Sequence, residues 1–480
     1  MIRLGQKIRS GVVWAGVESW ANQIITLVVF TILAREVSPE SFGIIALASV
    51  LIAFCQIFVE AGWGAALVQR KNLEDEHYSA IFWISIVMAT TLVGVCFVSA
   101  PLFAEALKES QLTSVVRWLS VSILFSSFSL VSQARLHRFL RFRELALCRL
   151  FGGVVGGTTG VVLAYMGYGV WALVSKQMVG VILMSVGVCW IEKWRPGLNL
   201  SWIHVRDLMK FSIYQSGNHI LVFINSRLDQ LFVGVFLGSH VLGLYSVGRR
   251  MILIVLDLLT SVATKVCFPV FSALQEDAES YARVFLKAIR FTARLSFPAM
   301  LGLAAIAPIC IPVIFGEKWS GSIEVMQVIA IGSVLQSVSI INYSAIVAKG
   351  RPGVNLLFHS IAILIDIVLY VTVLPYGILV FSVFYSCRLV ISSFLSYFVL
   401  QRVTGIRVAD CLRVLCVPLI LSVIMASCVV AIQKFGDFSL PHVVTLILLI
   451  VVGLLVYGIL AAKFYSDVSR YICARFSRPS

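Results

Sequence analysis

Apolar runs of about twenty residues recur along almost the whole chain, from Val12–Ala34 to a last run that closes near residue 462. A bilayer core takes roughly 20 such residues as one helix. Read with that length, the sequence offers fourteen candidate spans: 12–34, 41–61, 80–102, 115–134, 149–167, 170–190, 211–236, 241–264, 291–315, 325–347, 354–374, 377–399, 412–432 and 442–462. Backbone polar groups in lipid must be satisfied within the segment, so these runs are helices rather than open strands. Of 480 residues, 60% are apolar and 13% charged, and the mean hydropathy is +0.97. A soluble domain is nearer a quarter charged, and a folded core cannot hide this excess. The expected fold is an all-α polytopic membrane protein with fourteen transmembrane helices. A soluble enzyme, a secreted disulfide scaffold and a disordered tail are excluded.

The net charge of +15 is distributed as a topology signal. Lys and Arg fall in short clusters between the runs, 28 in the connections on the N-terminal side and five (Arg35, Lys108, Arg117, Lys318 and Lys434) on the other. That bias puts both termini in the cytoplasm. The densest cluster is Arg135, Arg138, Arg141, Arg143 and Arg149, between spans four and five. No soluble face exists to carry a basic stripe, so nucleic acid is not expected as a partner. Arg3, Lys7 and Arg9 precede the first run as in a signal peptide. The run is too long for one and ends without a small-residue cleavage site, so it reads as a retained span. Eleven Cys are scattered with no CxxC spacing; they read as small hydrophobes, and neither a metal site nor a cofactor is expected.

The chain nearly repeats itself. Phe42-Gly43-Ile44 opens span two and Leu242-Gly243-Leu244 opens span eight; Ala100-Pro101 returns as Ala307-Pro308. Ser126-Ser127-Phe128-Ser129 matches Gln336-Ser337-Val338-Ser339, and Tyr168-Gly169-Val170 matches Tyr376-Gly377-Ile378. The offset drifts only from 200 to 210. Each repeat has six spans, an even number, so both halves face the same way and relate by an axis along the membrane normal. The expected division is an N-terminal lobe, 1–200 (helices 1–6), a C-terminal lobe, 201–405 (helices 7–12), and 406–480, helices 13 and 14 with a cytoplasmic tail. The tight turns Gly167-Tyr168-Gly169 and Pro375-Tyr376-Gly377 make their flanking spans antiparallel neighbours.

Ionisable groups within spans are costly unless they face protein or water. Here they include Glu18, Glu60, Lys176, Arg227, Asp229, Arg249, Arg250, Asp257, Asp366 and Arg388. Span seven carries a polar stripe that includes Gln215, His219 and Ser226, widened by Asn218, Asn225 and Asp229. Span eight carries Arg250 and Asp257 on one face, and span one pairs Glu18 with Asn22 at i, i+4. Two readings stand open. The polar groups glue helices together, as they often do in membranes, or they line a hydrated cavity between the lobes. In the second reading Asn22, Gln215, Asn218, His219 and Ser226 line that cavity. Lys176, Arg227, Arg249 and Arg250 then form a cationic pocket, in which Arg offers paired donors to phosphate oxygens. Glu18, Asp229 and Asp257 are candidates for coupling to protons or sodium.

Fourteen spans in two six-span lobes with an extra pair resemble the multidrug/oligosaccharidyl-lipid/polysaccharide flippase superfamily. More narrowly, the chain resembles the bacterial polysaccharide transporter family of lipid-linked oligosaccharide flippases, near the colanic-acid exporter type. The resemblance is carried by Leu33-Ala34-Arg35 through Phe42-Gly43, the run 61–70, Arg138-Phe139-Leu140-Arg141-Phe142, and Asp229 through Leu242-Gly243-Leu244-Tyr245. It implies movement of an undecaprenyl-pyrophosphate-linked repeat unit across the bacterial inner membrane, by rocking of the lobes and use of an ion gradient, for exopolysaccharide, capsule or O-antigen. It places the pyrophosphate on Arg249 and Arg250, to which the residue reading above adds Arg227 and Lys176, and it implies membrane lipids and a polysaccharide polymerase or chain-length protein as partners. Span one carries Glu18 where related flippases carry Arg. The alternatives are a multidrug or cation antiporter of the same superfamily, whose pocket would favour acidic groups, and a polysaccharide polymerase or ligase.

Overall fold

In a computed structural model, residues 2–60, 62–70, 73–197, 202–435 and 441–476 are described. Among them every regular element is helical: α1 (Ile2–Glu36), α2 (Pro39–Glu60), α3 (Trp63–Gln69), α4 (Asp75–Ala106), α5 (Ser110–Arg138), α6 (Phe142–Tyr165), α7 (Val170–Glu192), α8 (Trp202–Ala273), α9 (Ala278–Phe315), α10 (Ser322–Ala348), α11 (Pro352–Val373), α12 (Ile378–Thr404), α13 (Val408–Phe435) and α14 (His442–Phe476), with single 3₁₀ turns at Glu317–Trp319 and Leu374–Tyr376. Each expected span falls on one of these helices. The 72-residue α8 is not continuous, because Gly238 takes φ 84°, ψ 173°, a conformation open to glycine alone. The break separates spans seven and eight where the sequence places their boundary. With α8 so divided, the described residues hold fourteen long helical segments. Eleven stretches are long and apolar enough to cross a bilayer by length and composition. The chain is thus a multi-pass helical membrane protein. Asp277 caps α9, so the charged stretch 278–290 is the opening of that helix and runs unbroken into its span.

Contacts divide the chain into two units, Met1–Ser246 and Val247–Ser480, so the first half of α8 is counted with the first unit. There α6 lies tightly on α7. A Cβ added at Gly152 would stand 2.6 Å from the Gly180 carbonyl oxygen, one at Gly156 2.6 Å from that of Lys176, and one at Gly160 2.8 Å from Lys176 Cβ. Glycines four apart let two membrane helices touch backbone to backbone. In the second unit α9 packs on α10 and α13, and α10 on α12. There a Cβ at Gly332 would stand 2.5 Å from Ser386 Cβ.

The two repeat motifs meet. A Cβ on Gly43 would overlap the Ser239 carbonyl, and a Cβ on Gly243 would overlap the Pro39 carbonyl. Positions 39 and 239 are equivalent in the repeat, as are 43 and 243. The contact therefore exchanges equivalent residues, as an isologous two-fold contact does. Ser239 also donates its hydroxyl to Glu109, and Gly169 approaches Ser41 Oγ. The α1–α2, α4–α5 and α6–α7 connections and the α8 break thus gather at one end of this unit, as alternate crossings require.

Candidate functional site

In the first unit the candidates fall into three environments. Glu18 on α1 accepts from Arg149 Nη1 on α6 at 2.9 Å, so this carboxylate joins two helices. The second environment spans the α8 break. Asp229 is 2% exposed, and the Tyr245 hydroxyl donates to its Oδ2 at 2.5 Å. That hydrogen bond ties the helix before Gly238 to the helix after it, joining the two ends of the segment Asp229 through Tyr245. The third is Arg227, two residues earlier and on the opposite face. It is exposed, donates from Nη1 to Gln230 Oε1 at 3.1 Å, and borders a small apolar cavity of about 260 Å³ lined by Leu47, Phe54, Phe103 and Phe223. Ser226 is exposed and returns its hydroxyl to the Phe223 carbonyl. His219 and Asn22 are exposed on α8 and α1. The Gln215 and Asn218 side chains lie outside the described residues. Lys176 is half-buried, with its stem laid against Gly160 of α6; no described contact joins it to Arg227.

The second unit holds the stronger cluster. Arg249 is 8% exposed and points Nη2 at the Tyr385 hydroxyl at 3.5 Å, with its guanidinium 6.0 Å from that ring's centroid. Arg388 lies 5.9 Å from the same ring. It is held in a two-point ion pair with Asp366, Nε to Oδ1 at 2.7 Å and Nη2 to Oδ2 at 2.5 Å. Tyr385 thus stands between two arginines, one of them neutralised. Arg250, next along the helix, turns to another face and is half-buried. Asp257 is exposed, and no described ion pair joins it to Arg250, as their separation along the helix predicts. Sequence reasoning named Arg249 but missed Tyr385. The signal that pointed to α12 was Arg388, three residues along the same helix and already singled out as an ionisable group within a span.

The basic cluster between spans four and five also does structural work. Arg138 donates to the carbonyls of Leu67 at 2.8 Å and Arg70 at 2.6 Å, closing the end of α3. Arg135 and Arg141 converge on Glu192 of α7, each at 2.9 Å. Arg135 also lies over Tyr78 at 4.9 Å. These groups mark one end of the unit and brace it.

Residues 32–324 match the family described as polysaccharide biosynthesis protein. The chain is similar to the teichuronic acid biosynthesis protein TuaB of Bacillus subtilis, 24% identical over 472 residues and 97% of both chains. It is 27% identical to the succinoglycan biosynthesis transport protein ExoT of Rhizobium meliloti over 318 residues, 66% of this chain and 64% of that one. Among solved structures, the lipid II flippase MurJ in an inward closed conformation aligns with a TM-score of 0.78 at 17% identity, over 95% of this chain and 99% of MurJ. At that identity the likeness speaks for the fold alone, a helical membrane fold. The family match covers more than half of the sequence: the chain belongs to the polysaccharide biosynthesis protein family.

Proposed function

We propose that this chain is a flippase. It moves an undecaprenyl-pyrophosphate-linked oligosaccharide repeat unit across the bacterial inner membrane by alternating access, for a surface polysaccharide. The observation that carries this reading is membership of a polysaccharide biosynthesis family by a chain built almost wholly of membrane-crossing helices. The step such a chain is suited to is passage of the lipid-linked product through the bilayer. ExoT is named as a transport protein and MurJ as a lipid II flippase, which agrees with that step. The sequence repeat, with an even number of spans in each copy, supports two like-facing lobes, 1–200 and 201–405, and the Lys and Arg bias supports cytoplasmic termini. Arg249, Arg250, Arg227 and Lys176 take the pyrophosphate, with Arg249 held ready by Tyr385. A proton or sodium gradient drives the cycle through Asp257, and a polymerase or chain-length protein receives the product.

A multidrug or cation antiporter would use acidic groups in its pocket. Glu18, Asp229 and Asp366 are already engaged by Arg149, Tyr245 and Arg388, which favours the flippase. A polymerase or ligase needs room for sugar chemistry beyond the bilayer. The connections at the Gly43 end of the first unit are only a few residues long.

The test is deletion and complementation. Cells without the gene accumulate lipid-linked repeat units that an impermeant glycosidase cannot reach in spheroplasts, and the wild-type chain restores their exposure. The Arg249→Ala/Arg250→Ala double variant, inserted at normal levels, fails to restore it. Normal exposure in the deletion strain overturns the reading.

A further inference from the structure

The second repeat departs from the first at one helix pair. Helices α6 and α7 are zipped by Gly152, Gly156 and Gly160. Their repeat equivalents, α11 and α12, are joined by the Leu374–Tyr376 turn. Near that turn Tyr370 and Phe381 stack edge to face at 5.1 Å, and one step further Asp366 grips Arg388. Beyond this ion pair the helices part. After Gly353, α11 has no glycine: at the offset set by Tyr168 and Tyr376, Gly152, Gly156 and Gly160 of α6 correspond to Ser360, Leu364 and Val368. Without a glycine stripe the backbones do not close on one another, and a cavity of about 760 Å³ lies between α11 and α12, lined by Ile361, Ile365 and Leu369.

The shape and lining of this cavity fit one kind of occupant. Its walls are apolar, with Ile365 56%, Ile391 58% and Phe398 56% exposed, so it opens sideways toward the surrounding hydrocarbon. From the floor at Arg388 to Arg402, which lines the mouth, is fourteen residues of α12, about 21 Å at 1.5 Å per residue. That is the depth of one leaflet, half of a roughly 30 Å core with part of its headgroup layer. The mouth is basic. Arg351 precedes α11 and Arg407 follows α12, and the antiparallel pair brings both to the end that holds Arg402. The N-terminus of α11 lies there too and favours an anion. The nearby carboxylate of Asp410 is engaged by Arg413 at 3.7 Å.

We propose that the cleft between α11 and α12 is a binding site for an anionic glycerophospholipid of the surrounding leaflet. One acyl chain fills the space between the helices as far as the Asp366–Arg388 pair, and the phosphate lies at Arg402. Basic pockets between membrane helices hold such headgroups in the same way. The proposal rests on the chain being a membrane protein and not on the transported substrate. It has a consequence for the transport site, because α12 carries Tyr385: a lipid wedged behind α12 sets the position of the side chain that meets Arg249.

Native mass spectrometry of the purified full-length protein, exchanged into nanodiscs of equal phosphatidylglycerol and phosphatidylcholine, tests it. The expected result is at least fivefold preferential retention of phosphatidylglycerol, lost in Arg402→Glu and in Leu395→Trp, which fills the cleft. Leu395 is 48% exposed, so the larger ring has room to stand without disturbing the fold. Cys387 lines the cavity and is exposed, so its alkylation, followed on its own peptide apart from that of the exposed Cys416, is a second readout without a variant. Phosphatidylglycerol should slow its alkylation by N-ethylmaleimide several-fold relative to phosphatidylcholine. Equal retention of the two lipids with equal alkylation rates overturns the proposal. Displacement of phosphatidylglycerol by undecaprenyl phosphate also overturns it and assigns the cleft to the transported lipid.

Discussion

Of the four proposed pyrophosphate ligands Arg249 is the buried one, with the Tyr385 hydroxyl aligned on it. Its replacement is therefore the sharpest test of the headgroup site. Arg249→Ala removes the planar fork that matches phosphate oxygens. It should lower surface polysaccharide at least tenfold while the protein stays in the membrane. Arg249→Lys keeps the charge without the fork and should restore only part; full activity in Arg249→Ala would move the site elsewhere. A different chemistry operates at Asp277, outside the spans. Its carboxylate accepts from the N–H groups of Glu279 at 3.1 Å and Ser280 at 3.0 Å and caps α9. Hydrogen bonds from Ser280, first through its side chain and then its backbone, with help from Glu279 and Arg283, hold this carboxyl below the usual aspartate range. A group depressed in the folded state stabilises above its unfolded pKa, about 3.9 for Asp. It loses that contribution as pH falls through its folded value. Melting of the detergent-solubilised protein between pH 7 and pH 3 should show Asp277→Ala with a lower midpoint at neutral pH and a shallower loss on acidification than wild type.

At the scale of helices, the glycines of the repeat make a prediction that symmetry sharpens. Gly43 and Gly243 each face a backbone carbonyl of the other motif. A methyl at either position meets backbone rather than a flexible side chain, so the contact must open or the helices must shift, at about 1–3 kcal/mol. Gly43→Ala and Gly243→Ala should impair transport to similar extents, and a cysteine at Ser41 should become more reactive to an impermeant maleimide in both. Unequal effects would break the equivalence of the two motifs. The Asp366–Arg388 pair behaves differently. Asp366→Asn leaves a buried guanidinium without its counter-ion and should cost about 3–5 kcal/mol, whereas replacing both partners with Leu should be far milder. Thermal melting of the single and double variants separates the two. These elements differ in how readable they are from the chain. The spans and the α8 break are written in hydropathy and in Gly238, because lipid imposes length and apolarity on each crossing. The glycine contact was visible as a repeated motif but not as a meeting of its two copies. The parting of α11 from α12 depends on what stands opposite each residue, and spacing along one helix carries no such information.

At the scale of the whole molecule, the charge bias and the even number of spans per repeat are sequence expectations of topology, and the gathering of alternate connections at one end of the first unit is what alternate crossings there require. What the sequence could not separate was structural charge from working charge. Glu18 and Asp229 looked like coupling groups because a carboxylate in an apolar run is costly wherever it sits. Yet Arg149 satisfies one and Tyr245 the other. Both partners lie on helices, or on a side of a kink, that no local pattern connects to them. That sorting leaves Asp257 as the coupling candidate with an exposed carboxylate. A group that exchanges protons or sodium during a cycle must be reachable from water and must not be committed to a permanent partner. A carboxylate that holds a kink is neither. In proteoliposomes with an imposed proton or sodium gradient, Asp257→Asn should abolish the stimulation by the gradient and leave the slow ungraded movement of lipid-linked substrate unchanged. Asp229→Asn should instead weaken the protein across all conditions, through the loss of the Tyr245 hydrogen bond, with the gradient response of the surviving fraction intact. If the two outcomes were exchanged, the α8 kink itself would be the moving part that the ion controls, and the Gly238 break would be its hinge.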